Sequence, residues 1–344
     1  MAPITNGRSL FSEIPTGYPE PGKHVTYDTS ETIDLETVSL NGGVLVKVLY
    51  LSIDPYMRGR MRPESVASYV PAFPLGKPMT NFGVGKVLRS ENDSYKAGDH
   101  VYGSLPFQEY FISTEKGELT VLKNEAGIPL SAYVGVAGMP GQTAYIGWQE
   151  FAKAKKGETI FVTSAAGPVG SFVVQLAKQE GLKIIASSGS EEKVAYCTSL
   201  GADVSFNYKT TSTEEILKKE GPIDIYWDHV GGEVLDLALK YANVNARFVE
   251  VGMITEYNGP KAYSGITNMV SIIARQISMN GFLVFHWLHK YGEAFYRDVP
   301  KLIKDGVIKF EEDKSYGLKE AGQGVWEVQT GKSKAKKVIV VAED

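Results

Sequence analysis

The sequence predicts an α/β fold in two parts, a parallel sheet with crossover helices and a separate β-rich domain. A length of 344 residues suits about two domains. Short β-type runs broken by Gly and Pro fill residues 33–125, whereas strands alternate with helical patterns after residue 130. We therefore expect residues 1–129 and 303–344 to form the β-rich domain and residues 130–302 to form the parallel-sheet domain.

The β-rich part is defined by alternating apolar and polar residues over short runs. These runs read "GGVLVKVLYLSI", "GVGKVLRS", "GDHVYG" and "FQEYFIS". The last apolar run of the chain, Val338–Ala342, also has a strand pattern. We expect it to return to the β-rich domain and pair there.

The second part alternates between strand and helix patterns, which is typical of parallel βαβ units. A parallel sheet buries both faces, so its strands appear as continuous apolar runs. We predict strands near 159–163, 183–188, 203–208, 223–228, 247–252 and 281–285, and helices near 168–180, 191–200, 214–220 and 232–242.

Composition and charge are typical of a globular protein, a class that includes enzymes, and not of a fibrous or nucleic-acid-binding protein. The chain is 43% hydrophobic and 22% charged, with a net charge of −4. Basic residues are scattered, apart from one late group that we interpret as a solvated loop, so no nucleic-acid partner is expected. That group is Lys332, Lys334, Lys336 and Lys337.

The sequence predicts neither a membrane partner nor a disulfide framework. No stretch reaches the roughly 18 apolar residues that span a bilayer, and the N-terminus lacks a signal-peptide pattern. A cytosolic location is therefore expected. The single cysteine, Cys197, excludes an internal disulfide and a multi-cysteine zinc site, and its surroundings suggest a buried helix position.

A glycine-bearing turn follows the first strand of the parallel part. In "SAAGPVG", Ala165, Gly167 and Gly170 have the spacing of G-x-G-x-x-G, with Ala at the first position. Such glycines let the backbone approach a pyrophosphate, which the amides and dipole of the following helix then stabilise. The alternative is a tight strand-to-helix turn that holds no ligand.

The next strand indicates which dinucleotide the turn would hold. Enzymes that select NAD place an Asp or Glu roughly 20 residues after the glycines, whereas this region reads "SSGS" at residues 187–190. Without a carboxylate, a 2′-phosphate meets no repulsion there, and Lys193 adds a positive charge. We therefore predict NADPH. Alternatively, Ser190 is only a helix N-cap and Lys193 a surface lysine.

A catalytic metal is not expected. Zinc alcohol dehydrogenases share this two-part layout and polarise the alcohol oxygen with a metal held by thiolate and imidazole ligands. Here the histidines are dispersed and only one thiol exists. Hydride chemistry is therefore predicted to proceed without a metal.

Several motifs together resemble a known family. They are "LSIDPYMRGRM", "GMPGQTAYIG", "SAAGPVG", "SSGSEEK", "FNYK", "VGGEVLD", "VGMITEYNG" and "GFLVF". From about residue 45 to its end, the chain resembles the zinc-independent medium-chain dehydrogenase/reductase superfamily. Within it, the chain is similar to the NADPH-dependent alkenal/one double-bond reductases, which include the leukotriene and prostaglandin reductases.

The resemblance implies a Rossmann-type doubly wound parallel sheet beside a GroES-like β-rich domain, and a homodimer joined near the strand at 281–285. It also implies the residues that contact the cofactor. Lys193 and Tyr208 match those that hold the 2′-phosphate, and Ser333 replaces a family asparagine. The implied cofactor contacts are Met139, Thr143, Ala165, Gly167, Val169, Gly170, Ser188, Lys193, Tyr208, Gly252, Tyr257, Phe282, Leu283, Val284 and Ser333.

The resemblance further implies a substrate site with Tyr257 as the catalytic residue. Tyr257 matches the tyrosine near the substrate carbonyl, and Tyr56 the substrate-facing tyrosine after "DP". Reduction of a conjugated C=C places negative charge on the carbonyl oxygen, and a protonated phenol can donate to it. Phe285 is a further candidate substrate contact. Each of these residues has packing as its alternative role.

Two other functions remain open from the sequence. A quinone reductase would share the layout and the cofactor, and a non-catalytic NADPH-binding sensor would share the dinucleotide site. The "GMI" and "YN" pattern of residues 252–258 favours reduction of α,β-unsaturated aldehydes and ketones.

Overall fold

The computed structural model describes residues 3–114, 117, 119–259 and 265–344. The chain forms two compact units, one of Met1–Gly135 with Glu312–Asp344 and the other of Val136–Glu311. The predicted limits, at 129/130 and 302/303, lie several residues earlier. The second predicted limit falls inside a helix that continues to Lys304, so the chain leaves the second unit only after that helix.

The elements are named here in chain order. The strands are β1 (Ile4–Thr5), β2 (Arg8–Phe11), β3 (Val25–Asp28), β4 (Thr32–Ile33), β5 (Val44–Ser52), β6 (Thr80–Ser90), β7 (His100–Pro106), β8 (Tyr110–Ser113), β9 (Leu119–Val121), β10 (Thr159–Val162), β11 (Lys183–Ser188), β12 (Val204–Asn207), β13 (Ile223–Asp228), β14 (Ala242–Glu250), β15 (Ser278–Gly281), β16 (Glu312–Tyr316) and β17 (Lys336–Val340). The helices are α1 (Met57–Arg60), α2 (Met139–Gly147), α3 (Pro168–Gln179), α4 (Glu191–Ser199), α5 (Thr213–Glu220), α6 (Gly232–Tyr241), α7 (Val270–Ala274), α8 (Leu288–Lys304) and α9 (Ala321–Gln329).

The second unit is a doubly wound parallel sheet. Within the described residues, its six strands run in the order β12-β11-β10-β13-β14-β15, and every pair is parallel. This order reverses direction at β10 and β13, the arrangement of the Rossmann fold, in which ligands bind beyond the carboxyl ends of the strands. The predicted Rossmann-type sheet is therefore confirmed.

Local sequence signals set the helices of this unit. Pro168 occupies the first turn of α3, where its missing N–H costs nothing. The hydroxyls of Ser190 and Ser212 cap α4 and α5 by accepting hydrogen bonds from the backbone N–H groups of Lys193 and Glu215. The apolar strands then bury large aromatic side chains such as Trp227, which is fully buried.

The first unit is built around a predominantly antiparallel sheet. Its strands, as far as the chain is described, follow the order β16-β17-β5-β6-β7-β9, and β8 also pairs with β5. The strand β17 pairs antiparallel with β5, so Val338 lies opposite Ser52. The predicted return of the last strand to the β-rich domain is confirmed. The core of the unit includes Met57 and Phe73, which are both fully buried.

The predicted strand at 281–285 is wrong in position. The strand β15 covers Ser278–Gly281, and residues 284–287 form a short 3-10 helix. Pairing with β14, in which Glu250 lies opposite Gly281, fixes the register of this edge strand. The apolar run that suggested the strand packs instead, since the Phe282 ring lies 5.1 Å from that of Phe151. Cys197 is buried in α4, as predicted.

No helix among the described residues is long and apolar enough to cross a membrane.

Candidate cofactor-binding and active site

The glycine turn joins β10 to α3 at the carboxyl end of the parallel sheet. A Cβ atom added to Gly170 would lie 2.6 Å from the carbonyl oxygen of Ser164 and 2.8 Å from the Cα of Ala165. Gly170 is therefore a position where only glycine lets the helix approach the turn this closely. Ala165 is fully buried, and its N–H donates to the carbonyl of Ser187 (3.0 Å), which ties the turn to β11.

The backbone of this turn is shaped to present amide groups. Ser164 has a φ of 47°, a left-handed conformation that costs a non-glycine residue about 1–3 kcal/mol. Gly167 precedes α3 in an extended conformation. The first turn of α3, which includes Val169 and Gly170, has amides without intrahelical partners and the positive end of the helix dipole. This arrangement matches the cradle that a pyrophosphate needs.

The residues predicted to hold the 2′-phosphate come together beside β11 and β12. The N–H of Tyr208 donates to the carbonyl of Ser188 (3.1 Å). A Cβ atom on Gly189 would lie 3.0 Å from the Tyr208 hydroxyl, so the tyrosine covers this glycine. Lys193 is the third residue of the next helix, α4, and is half-buried. Ser188 and Tyr208 are therefore adjacent, and Lys193 lies in the first turn of the helix that follows β11, where Ser190 is the N-cap.

A carboxylate, Glu191, is hydrogen-bonded close to these residues, because its partner Asn207 lies opposite Ser188. Its Oε1 accepts a hydrogen bond from the Nδ2 of Asn207 at 2.8 Å. The preference of this site for a 2′-phosphate therefore remains a prediction, which rests on the "SSGS" sequence and on Lys193.

The residues predicted to lie near the nicotinamide gather at the ends of β14 and β15. A cavity of about 480 Å³ there is lined by Gly252, Phe282 and Leu283, together with Glu250 and Trp287. A Cβ atom on Gly252 would lie 3.4 Å from the Tyr257 hydroxyl, which places the predicted catalytic phenol against this backbone. The neighbouring residues differ in exposure, because Val284 is buried whereas Phe285 is 47% exposed.

Glu250, in the wall of the same cavity, belongs to a carboxyl pair that the sequence did not predict. Asp228 and Glu250 lie opposite each other at the ends of β13 and β14. The Asp228 carboxylate accepts hydrogen bonds from the backbone N–H groups of Val230 (2.7 Å) and Gly231 (2.9 Å). The Glu250 oxygens are buried and have no hydrogen-bond partner among the described residues. Burial, and then the charge of Asp228, raises the pKa of Glu250 to about 9, so this carboxyl is protonated near neutrality.

His229 follows this pair and has a structural role. Its Nδ1 lies 2.6 Å from the carbonyl of Thr163, and its Nε2 accepts from the Trp227 indole N–H (3.3 Å). Burial lowers the pKa of His229, so the ring is neutral with the proton on Nδ1. No group of three or more His, Cys, Asp or Glu side chains suited to a metal ion occurs in the part of the chain that the structure describes.

Met139 and Thr143 lie in the first turns of α2. The Thr143 hydroxyl donates to the carbonyl of Met139 at 2.9 Å, and Thr143 is only 8% exposed. A Cβ atom on Gly141, between them, would lie 1.7 Å from the carbonyl oxygen of Val136. The glycine of the "GMPG" motif therefore permits a close approach of two backbone segments.

Tyr56 and Ser333 belong to the first unit, unlike the other predicted site residues. The Tyr56 hydroxyl donates to the Oδ1 of Asn81 at 2.5 Å. Burial raises the pKa of Tyr56, and the negative charge of Asp54 adds to the effect. The N–H of Ser333 donates to the carbonyl of Glu327 (3.2 Å) in the loop before β17.

The interpretation of the late lysines as a solvated loop is wrong for two of the four. Lys336 and Lys337 lie in β17 and are each 4% exposed. Lys336 pairs with Asp54 at 2.7 Å, and Lys337 pairs with Glu327 at 2.6 Å. Asp54 is 282 residues from Lys336 in the sequence, so the cluster gave no local signal of this burial.

The fold and this site define a class of protein. A Rossmann-type unit with a dinucleotide cradle, together with a β-rich unit of this strand order, defines the medium-chain dehydrogenases and reductases.

Comparisons with known proteins identify the family within this class. The family described as "N-terminal domain of oxidoreductase" matches residues 9–121, and "Zinc-binding dehydrogenase" matches residues 168–302. The 2-alkenal reductase (NADP(+)-dependent) of Nicotiana tabacum is 38% identical over 345 residues, 99% of each chain. The (+)-pulegone reductase of Mentha piperita is 38% identical over 309 residues, which covers 88% of this chain and 89% of that one.

Among solved structures, that of CurA in complex with NADPH from Vibrio vulnificus has a TM-score of 0.87 and 31% identity, covering 98% of this chain and 100% of the other. The present chain belongs to the zinc-independent medium-chain dehydrogenase/reductase superfamily, in the family of NADPH-dependent alkenal double-bond reductases.

Proposed function

We propose that this protein uses NADPH to reduce the C=C bond of α,β-unsaturated aldehydes and ketones. The observation that carries the proposal is the Gly170 cradle at the start of α3, because a Cβ there would lie 2.6 Å from the Ser164 carbonyl oxygen. The names of the tobacco and peppermint relatives, a 2-alkenal reductase and a pulegone reductase, support this substrate class.

The residues of the second unit fit the cofactor in three places. In this proposal the amides at the start of α3 bind the pyrophosphate, and Ser188, Lys193 and Tyr208 bind the 2′-phosphate. Gly252 and residues 282–284 contact the nicotinamide, while Met139 and Thr143 lie along the cofactor. NADPH supplies the hydride when it is bound. A 2′-phosphate and a lysine form a charge-assisted hydrogen bond, which is stronger than a neutral one.

Tyr257 is proposed as the catalytic residue. As hydride reaches the β-carbon, negative charge collects on the carbonyl oxygen as an enolate, and a phenol donor positioned there stabilises it. The Tyr257 hydroxyl packs against the Gly252 backbone, beside the cavity that Phe282 and Leu283 also line. Tyr56 is proposed to contact the substrate, together with Phe285. No zinc ion takes part in this mechanism.

The experiment that tests the function compares two aldehydes of equal length. We expect NADPH consumption with 2-nonenal and none with nonanal, because only the first has a conjugated C=C bond. Mass spectrometry of the product is expected to show nonanal. Formation of 2-nonenol, or turnover of quinones with no turnover of 2-nonenal, would contradict the proposal, and NADPH binding without any turnover would favour a sensor.

We further propose that the protein is a homodimer joined along the open edge of the parallel sheet. The strand β15 is the last strand of the described sheet order, so one of its sides offers backbone groups for pairing. The helix α7, which precedes β15 in the chain, exposes Val270 (71%) and Ile273 (81%). A two-fold axis brings such a patch against its own copy.

Light scattering after size-exclusion chromatography tests the dimer. We expect the mass of two chains for the wild-type protein and of one chain for Ile273→Glu, because a buried charge without a partner opposes association. The matched control is Val66→Glu, at a residue that is 50% exposed in the first unit. A wild-type mass of one chain, or an unchanged mass in Ile273→Glu, would contradict this interface. The cytosolic location remains a prediction from the sequence.

A further inference from the structure

A buried lysine lies at the start of β17, where the apolar core of the first unit surrounds it. Lys336 is 4% exposed. Its Nζ donates to the Oγ of Ser52 (2.6 Å), the carbonyl of Ile53 (2.8 Å) and the Oδ1 of Asp54 (2.7 Å). An ammonium group has three N–H donors, so each has one partner and the charge is fixed in direction.

The contacts continue from Asp54 to Asn81. The second oxygen of Asp54, Oδ2, accepts a hydrogen bond from the Nδ2 of Asn81 at 2.9 Å. The same Nδ2 donates to the carbonyl of Ser52, also at 2.9 Å. Asn81 is 1% exposed. Because its amide nitrogen is held by two acceptors, its carbonyl oxygen must face the opposite way.

That oxygen meets the hydroxyl of Tyr56. The distance between the Tyr56 hydroxyl and the Oδ1 of Asn81 is 2.5 Å. The carbonyl of Pro55, the residue before Tyr56, accepts a hydrogen bond from the Nε2 of Gln329 at 2.8 Å. Helix α9 therefore also holds this segment in place. The chain of contacts thus runs from a buried ion pair to the tyrosine proposed to contact the substrate.

The ion pair is better explained by orientation than by stability. Removing two charges from water has a large desolvation cost, and well-packed apolar residues often stabilise a core as much or more. Buried polar groups that are fully hydrogen-bonded do, however, fix a single arrangement of side chains. Here the contacts lead from the ion pair to Tyr56, which is partly exposed and also accepts a hydrogen bond from Arg60.

We propose that Lys336, Asp54 and Asn81 are positioning residues that hold the Tyr56 hydroxyl in one orientation toward the substrate. This inference rests on the proposed function. The Tyr56 proton is directed at Asn81, and the Tyr56 oxygen also accepts a hydrogen bond from Arg60. The phenol is therefore held by two partners, and in this proposal it orients the substrate and leaves enolate stabilisation to Tyr257. Loss of the network is therefore expected to raise the KM for the enal more than it lowers kcat.

A double-mutant cycle separates positioning from a purely structural role. We expect Tyr56→Phe and Asn81→Leu each to raise the KM for 2-nonenal about tenfold, with unchanged affinity for NADPH. In the double variant we expect no further increase, because Asn81 acts only through the Tyr56 hydroxyl. Lys336→Met is expected to behave like Asn81→Leu. Additive losses in the cycle would overturn the inference.

The matched control is Asn6→Leu, since Asn6 is also 1% exposed and bonds within the first unit to Glu31 and the carbonyl of Tyr110. We expect it to lower the melting temperature without changing the KM for the enal. If Asn81→Leu does not fold, Asn81→Ala completes the same cycle. A wild-type protein that is active on 2-nonenal but shows additive losses refutes the positioning role alone. A wild-type protein inactive on 2-nonenal refutes the proposed function and this inference with it.

Discussion

Lys193 is the residue on which the preference for NADPH over NADH is predicted to depend. It lies in the first turn of α4, after the strand β11, whose last residues, "ASS", carry no carboxylate. We expect Lys193→Ala to raise the KM for NADPH about tenfold to a hundredfold, the range for loss of a charge-assisted hydrogen bond. The KM for NADH should stay nearly constant because NADH has no 2′-phosphate.

The control for this variant is Lys178→Ala. Lys178 is a surface lysine of the same unit, and its Nζ lies 3.7 Å from Asp203. The Lys178→Ala variant should leave the KM values for NADPH and NADH unchanged. Equal increases for the two cofactors in Lys193→Ala would remove the role assigned to this lysine.

Tyr257 is the residue whose hydroxyl the mechanism requires. Tyr257→Phe keeps the ring and removes only the donor beside Gly252. We expect kcat with 2-nonenal to fall about a hundredfold, a typical effect of losing one acid or oxyanion donor. Affinity for NADPH, measured by fluorescence titration, should change little.

Tyr291→Phe is the matched control, because the Tyr291 hydroxyl bonds to Glu150 (2.6 Å) on the surface of the same unit. Wild-type kcat is expected there. If Tyr257→Phe also retained wild-type kcat, the tyrosine would be a packing residue.

At the scale of elements, the β10–α3 turn is predicted to bind the cofactor through its backbone. Gly170→Ala places a methyl group 2.6 Å from the Ser164 carbonyl oxygen, which is backbone and does not move easily. We expect the turn to open and the Kd for NADPH to rise at least about tenfold, since the amides then miss the pyrophosphate.

Gly292→Ala in α8 serves as the control, because the added methyl group would lie 3.9 Å from the Cβ of Leu288, an ordinary van der Waals distance. Alanine in a helix interior is favoured over glycine by about 1 kcal/mol. This variant should bind NADPH normally and melt slightly higher. An unchanged Kd in Gly170→Ala would show that the turn does not hold the pyrophosphate.

The free energy of unfolding is predicted to depend on pH because of the carboxyl pair at the ends of β13 and β14. Burial and Asp228 raise the pKa of Glu250 from 4.5 to about 9, so the folded protein retains a proton that the unfolded chain releases. This contribution is complete below the unfolded pKa and is lost as pH rises toward the folded pKa. By linkage the slope is at most about 1.4 kcal/mol per pH unit for one proton.

Glu250→Gln removes the titrating group and keeps the shape of the side chain. Urea unfolding at a series of pH values is expected to show the variant gaining stability relative to wild type as pH rises between about 5 and 9. A difference that is independent of pH would mean that Glu250 is ionised in the folded protein.

At the scale of the whole molecule, the sequence predicted those features of the fold that depend on neighbouring residues. The β10–α3 turn, the N-cap Ser190 and the burial of Cys197 all follow from nearby sequence. The position of the edge strand β15 does not follow from nearby sequence. Its "SMNG" sequence has no apolar pattern, and its position is fixed by pairing with β14.

Contacts between residues that are distant in the sequence could not be predicted from local patterns. Lys336 looked solvated because its partner, Asp54, is 282 residues away. Asp228 and Glu250 gave no motif either, since their proximity arises only when β13 and β14 pair. The roles of Tyr257 and Tyr56 came from family resemblance, because spacing does not distinguish one of 19 tyrosines from another.

The measurement that tests the central claim most directly follows the transferred hydride. The protein is incubated with 2-nonenal and NADPH that is dideuterated at C4 of the nicotinamide, and the product is analysed by NMR spectroscopy. We expect nonanal with one deuterium on the β-carbon. Deuterium on C1 of 2-nonenol, or a product without deuterium, would contradict hydride transfer to the β-carbon.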